Sequence, residues 1–179
     1  DILAGNSLAL VGLYKSLYGV NPRYNRLYLN PHLPDKLSGT TLRYQFRGEP
    51  LEIHLNTGRY SVSNEQFKVT ANQDFGFNAG KNEMVYFTGN AERPSIRIMT
   101  RSHLELEIQN WSADEYSWRQ SSDGKNPVDY LLRVEQSNTN YVISVGDEVI
   151  HVKSDDLNTV NFSTQPDGPF KMIRVRAAK

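Results

Sequence analysis

Leu42-Arg43-Tyr44-Gln45-Phe46-Arg47-Gly48-Glu49-Pro50-Leu51-Glu52-Ile53-His54-Leu55 is the stretch on which the fold turns. Leu42, Tyr44 and Phe46 alternate with Arg43 and Gln45. Beyond the Arg47-Gly48-Glu49-Pro50 turn, Leu51, Ile53 and Leu55 alternate with Glu52 and His54. A side-chain period of two gathers the apolar residues on one face, as a half-buried antiparallel strand requires and a helix does not. Working outward, similar short runs recur at Tyr60-Val62, Phe67-Thr70, Met84-Phe87, Ile96-Met99, Leu104-Ile108 and Tyr130-Val134. They continue at Tyr141-Val145, Val149-Val152, Val160-Phe162 and Phe170-Val175, giving about twelve strands at the spacing of a sandwich. Asn56-Thr57-Gly58, Val145-Gly146-Asp147-Glu148 and Gln165-Pro166-Asp167-Gly168-Pro169 carry turn chemistry between them. The expected fold is mainly β, an antiparallel β-sandwich in one or two small units, with one N-terminal helix.

That helix is Gly5 to Gly19, with Asn6 or Ser7 expected as N-cap and Gly19 as the left-handed residue beyond the last turn. Leu10, Tyr14 and Leu17 form one stripe, and Val11 and Tyr18 continue onto a neighbouring one. A helix apolar over so much of its circumference needs cover on more than one side, either from the sheet or from a further helical domain. Residue 1 is Asp rather than Met, so a piece of a longer protein is expected. The expected organisation is residues 1–20 as the last helix of an upstream helical domain and 21–109 as a first sandwich unit. Residues 110–126 are an aromatic-rich loop or linker, and 127–179 a second unit or the remaining strands.

Composition narrows the function classes. The 179 residues carry 20 basic and 20 acidic side chains, for a net charge of zero, and no Lys/Arg run supplies the counterion release of a nucleic-acid binder. No nucleic-acid partner is expected. No apolar run approaches the ~18 residues of a membrane helix, so no membrane span is expected. The absence of cysteine removes disulfides, thiol catalysis and Cys-bound zinc together.

The chain shows no recognisable catalytic or metal-binding constellation. His32, His54, His103 and His151 are scattered singly, and the last three are expected on solvent faces or at strand ends. Asp147-Glu148 and Asp155-Asp156 lack calcium-loop spacing and fit turns. Gly76-Phe77-Asn78-Ala79-Gly80 reads as a bulge or wide turn rather than a phosphate cradle. We therefore assign no catalytic residue, no metal ligand and no cofactor. Trp111, Tyr116 and Trp118 lie in an otherwise polar stretch and are the candidate ligand-binding residues. They form either a platform that stacks on sugar rings or a plug at the end of the core. Asn110-Trp111-Ser112 and Asn161-Phe162-Ser163 match the glycosylation sequon, as chance allows in a chain this rich in Asn.

The segment from Arg26 to Ile53 reads strand, Pro31-His32-Leu33-Pro34, short loop, strand, Arg47-Gly48 turn, strand. It resembles the start of the C-terminal β-sandwich domain that follows the six-hairpin α/α barrel in several glycoside hydrolase and phosphorylase families. These are the maltose/trehalose phosphorylase clan and the α-rhamnosidase and fucosidase groups. The Gly5–Val20 helix then resembles the last helix of the barrel. The resemblance implies a non-catalytic accessory domain, inactive as an isolated chain because the family's catalytic carboxylates lie on the barrel. The implied partner is an upstream catalytic domain of the same polypeptide, met through Leu10, Val11, Tyr14, Leu17 and Tyr18. A glycan is the further partner to test, and periplasmic or extracellular localisation is favoured over cytoplasmic.

Overall fold

The computed structural model describes residues 2–88, 95–165 and 170–178, with side chains from Leu8 onward. The alternation of Leu42-Phe46 and Leu51-Leu55 is what the backbone obeys. Those residues lie on β3 (Thr40–Phe46) and β4 (Glu49–Asn56), joined by Arg47 and Gly48, both at positive φ (54° and 87°). Two successive residues in that region match the right-handed twist of the flanking strands. Pro50 lies within β4, opposite Gln45, so the turn is tighter than the four residues expected.

Sixteen strands lie among the described residues. Around the β3–β4 pair lie β1 (Val20–Arg23), β2 (Arg26–Leu29), β5 (Arg59–Ser63), β6 (Phe67–Ala71), β7 (Phe75–Gly80), β8 (Glu83–Phe87) and β9 (Ser95–Met99). Then follow β10 (Leu104–Trp111), β11 (Tyr116–Ser122), β12 (Val128–Arg133), β13 (Asn140–Val145), β14 (Glu148–Lys153), β15 (Thr159–Thr164) and β16 (Lys171–Ala177). They form a seven-stranded sheet, β1-β2-β7-β8-β9-β12-β15, and a nine-stranded sheet, β14-β13-β16-β11-β10-β6-β5-β4-β3. Every pairing is antiparallel except β6 with β10. Apolar residues of both sheets form one continuous core, with Leu27, Phe67, Phe77, Ile98, Trp118, Ile143 and Val160 fully buried.

Three expectations are corrected. Gly76 to Gly80 is strand β7 and not a bulge or turn: the glycine at 76 makes room for the Phe87 ring, whose Cζ would stand 1.8 Å from an added Cβ. Residues 110–126 are not a loop or linker, because they hold the end of β10 and all of β11. Asn6 and Ser7 do not cap the helix, because α1 (Ile2–Ser16) begins upstream of them with no proline to stop it. The strands after residue 126 complete both sheets, β12 and β15 in one and β13, β14 and β16 in the other. Of the turn expected over Gln165-Pro166-Asp167-Gly168-Pro169, residues 166–169 lie outside the described residues.

Gly19 ends the helical segment as expected, at φ +63°. A Cβ there would meet the carbonyl carbon and oxygen of Asn30 at 2.2 Å, so both the conformation and the space demand glycine. The Asn30 amide donates to the Gly19 carbonyl (3.0 Å) and the His32 amide to that of Leu17 (3.1 Å). These bonds fasten the end of α1 to the chain leaving β2.

Candidate functional site

The helix and the aromatic segment are the two regions that the sequence singles out. Tyr14 of α1 and Tyr18, just beyond its end, pack on the core, their rings 5.8 Å apart, and Tyr14 also meets Tyr44 of β3 at 5.8 Å. The other described apolar side chains of α1 are uncovered. Leu8 is 73% exposed, Leu10 57%, Val11 50% and Leu13 40%, and all residues from 8 to 13 are exposed. The structure thus divides the five helix residues expected to dock. Tyr14 and Tyr18 are half-buried against the sandwich and Leu17 is half-buried, whereas Leu10 and Val11 face solvent on the turn before. Leu8 and Leu13 are exposed together with Leu10 and Val11; Leu13 shares the stripe of Leu10, Tyr14 and Leu17, and Leu8 lies off it.

The aromatic segment behaves in the opposite way. Tyr116 and Trp118 are fully buried and Trp111 is 8% exposed. Their register explains it. On β11, Tyr116, Trp118 and Gln120 point inward at alternate positions. On β10 a bulge at Gln109 shifts the pairing between Ile108 and Asn110, which turns Trp111 back into the core opposite Tyr116. The three rings belong to a continuous run of eight, from Tyr60 through Phe75, Tyr86, Trp111, Tyr116, Trp118 and Tyr130 to Phe162. Four come from each sheet. Trp118 Nε1 donates to Gln120 Oε1 (3.3 Å), Tyr130 donates its hydroxyl to the same oxygen, and Gln120 Nε2 donates to Thr164 Oγ1 (3.1 Å). Burial drives the Tyr86 and Tyr130 phenols well above their usual range, so both remain neutral, Tyr130 donating to Gln120 and Tyr86 accepting from Gln73 Nε2 (3.1 Å). No face of these rings is open to a sugar, and the plug reading is the one the packing supports.

The polar residues fit structural roles. His54 of β4 lies between Thr41 Oγ1 (2.9 Å from Nδ1) and Glu52 Oε1 (2.7 Å from Nε2) on an exposed sheet face. His151 is exposed on β14, and His103 sits at the start of β10 with its ring near Glu105. Asp155 Oδ1 accepts the amides of Leu157 (2.9 Å) and Thr159 (2.7 Å), which is turn chemistry. Among the described residues no group of three His, Cys, Asp or Glu side chains is placed to hold a metal ion. No helix among them is long and apolar enough to cross a membrane.

The family model described as glycosyl hydrolase family 65, C-terminal domain, matches residues 20–73. The match opens on the first residue of β1, ends two residues past β6, and contains the Arg26–Ile53 segment. The resemblance to the C-terminal domain of the maltose/trehalose phosphorylase clan holds over that stretch. No curated protein matches the chain.

Proposed function

We propose, from the likeness of residues 20–73 to the glycosyl hydrolase family 65 C-terminal domain, that this chain is the non-catalytic accessory domain of a glycoside hydrolase or phosphorylase. Its α1 docks the sandwich onto a helical catalytic domain of the same polypeptide. The observation that carries this reading is the apolar exposure of α1 just ahead of the matched segment. A helix apolar on several sides is normally buried, and one of fifteen residues is marginal in water without tertiary cover. The missing cover must present apolar surface of its own, and a neighbouring helix does so by ridges-into-grooves packing.

The test substitutes Leu10→Ser and Val11→Ser in the polypeptide that carries both domains. Calorimetry should then show the sandwich melting independently of the catalytic domain, with faster proteolysis at the junction after Gly19. A single unchanged transition would overturn the docking role. Hydrolysis or phosphorolysis of aryl glycosides by the 179-residue chain alone would overturn the non-catalytic one.

A further inference from the structure

The outer face of the seven-stranded sheet carries a groove of about 560 Å³. Its floor is a single cross-strand row: Asn78 of β7 opposite Val85 of β8, then Arg97 of β9, Leu131 of β12 and Asn161 of β15. At about 4.8 Å between strands the row is roughly 19 Å long. Planar polar and apolar side chains alternate along it, and Arg133 lies in the adjoining row, opposite Ser95 and Thr159. One end is walled by Phe87, whose ring lies over Gly76 and under the Arg26 guanidinium at 5.0 Å. The other is walled by the turn before β15. There Leu157 stands 68% exposed, and Asp155 and the Asn158–Glu135 bond (3.0 Å) fix the backbone.

Among the described residues, the side chains of Asn78, Arg133 and Asn161 make no hydrogen bond or ion pair. Each is planar and offers two or more hydrogen-bonding groups in a fixed geometry. Adjacent sugar hydroxyls, each a donor and an acceptor, match such groups two at a time. The C–H faces of the rings match the apolar steps at Val85 and Leu131. Main-chain recognition of a peptide has little purchase on the floor, because β7, β8, β9 and β12 are interior strands whose backbone groups are consumed by their neighbours, and the edge strand β15 directs its free backbone groups in the plane of the sheet rather than up into the groove. A polyanion has little more. Glu83 pairs with Arg97 at 3.5 Å, Arg133 is left as the uncompensated cation of the floor, and Asp155 stands at the rim.

The geometry points to a binding site for an extended, uncharged oligosaccharide lying across these strands, with Arg133 and Asn161 as its principal hydrogen-bonding residues. It shares no residue with α1, so it stands or falls separately from the docking role. The test is affinity electrophoresis of the 179-residue chain through gels containing glycogen, arabinoxylan or polygalacturonate. Retardation by glycogen or arabinoxylan is expected. Arg133→Ala and Asn161→Ala should each weaken it about tenfold, whereas Leu10→Ser/Val11→Ser leaves it unchanged. Thermal melts matching the parent chain establish that the groove variants are folded. Retardation by neither neutral polymer, by polygalacturonate alone, or undiminished in both groove variants would overturn the site.

Discussion

The middle turns of α1 and the β10–β11 hairpin are a matched pair of opposites. Residues 8–13 hold Leu8, Leu10, Val11 and Leu13, and the structure leaves all four exposed. Residues 110–120 are mostly polar, and the structure buries Trp111, Tyr116, Trp118 and Gln120. Apolar density therefore does not decide burial in this molecule; available cover does. The inner face of the hairpin, within the nine-stranded sheet, meets rings of both sheets, whereas among the described apolar side chains of residues 8–18 only Tyr14 and Tyr18 pack on the core. The described residues leave the apolar face of residues 8–13 without cover, and that is the observation from which the proposed docking starts.

The contrast can be broken most directly at the hairpin. Trp118→Ala should cost about 3–5 kcal/mol in urea unfolding, as removal of a fully buried ring does. A loss under about 1 kcal/mol would mean the indole is not part of the core. Gly19→Ala, which drives a Cβ into the Asn30 carbonyl at positive φ, should cost about 1–3 kcal/mol and loosen α1. Its readout is hydrogen exchange over residues 8–18. Gln120→Leu leaves the Trp118 indole and Tyr130 hydroxyl without their shared acceptor, at about 1–3 kcal/mol by chemical denaturation. On the other side of the comparison, Leu10→Ser with Val11→Ser should change the stability of the chain alone by no more than about 0.5 kcal/mol. A loss of 2 kcal/mol or more, on the scale of burying a Leu or Val side chain, would show that α1 is already covered.

The smallest effect is electrostatic. The Arg59 hydrogen bond, acting against desolvation, holds the Glu107 carboxyl below its usual value of 4.5, and Arg119 adds to it. A carboxylate whose folded value is depressed contributes stability above its unfolded value and loses it as pH falls through the folded one. Glu107→Gln should therefore flatten the stability loss below about pH 4.5, by less than about 1 kcal/mol for so accessible a pair.

Much of this was legible beforehand. The twelve runs of period two all became strands, because alternation is a property of the local chain and needs no knowledge of partners. Strand β11 was hidden for a specific reason. Gln120 is polar yet points inward, satisfied by Trp118, Tyr130 and Thr164, and the bulge at Gln109 breaks the phase that leads to Trp111. Strand β7 was hidden by its glycines, which signal a turn until the Phe87 ring is found lying over Gly76. The helix and its excess of apolar residues were legible in the sequence. The groove was not, since Asn78, Arg97 and Asn161 are far apart in sequence and meet only through strand register.

By itself the amino-acid sequence determined the β class, the helix and the lack of any recognisable catalytic motif, all of which depend on patterns within a few residues. Tertiary structure alone decided which sheet each strand joins, including the parallel β6–β10 pairing and the return of β16 between β11 and β13. It also decided which aromatics are core and which polar rows face outward. Those choices depend on loop closure and side-chain fit between segments up to a hundred residues apart, as when Phe67 comes to lie in one core with Phe162.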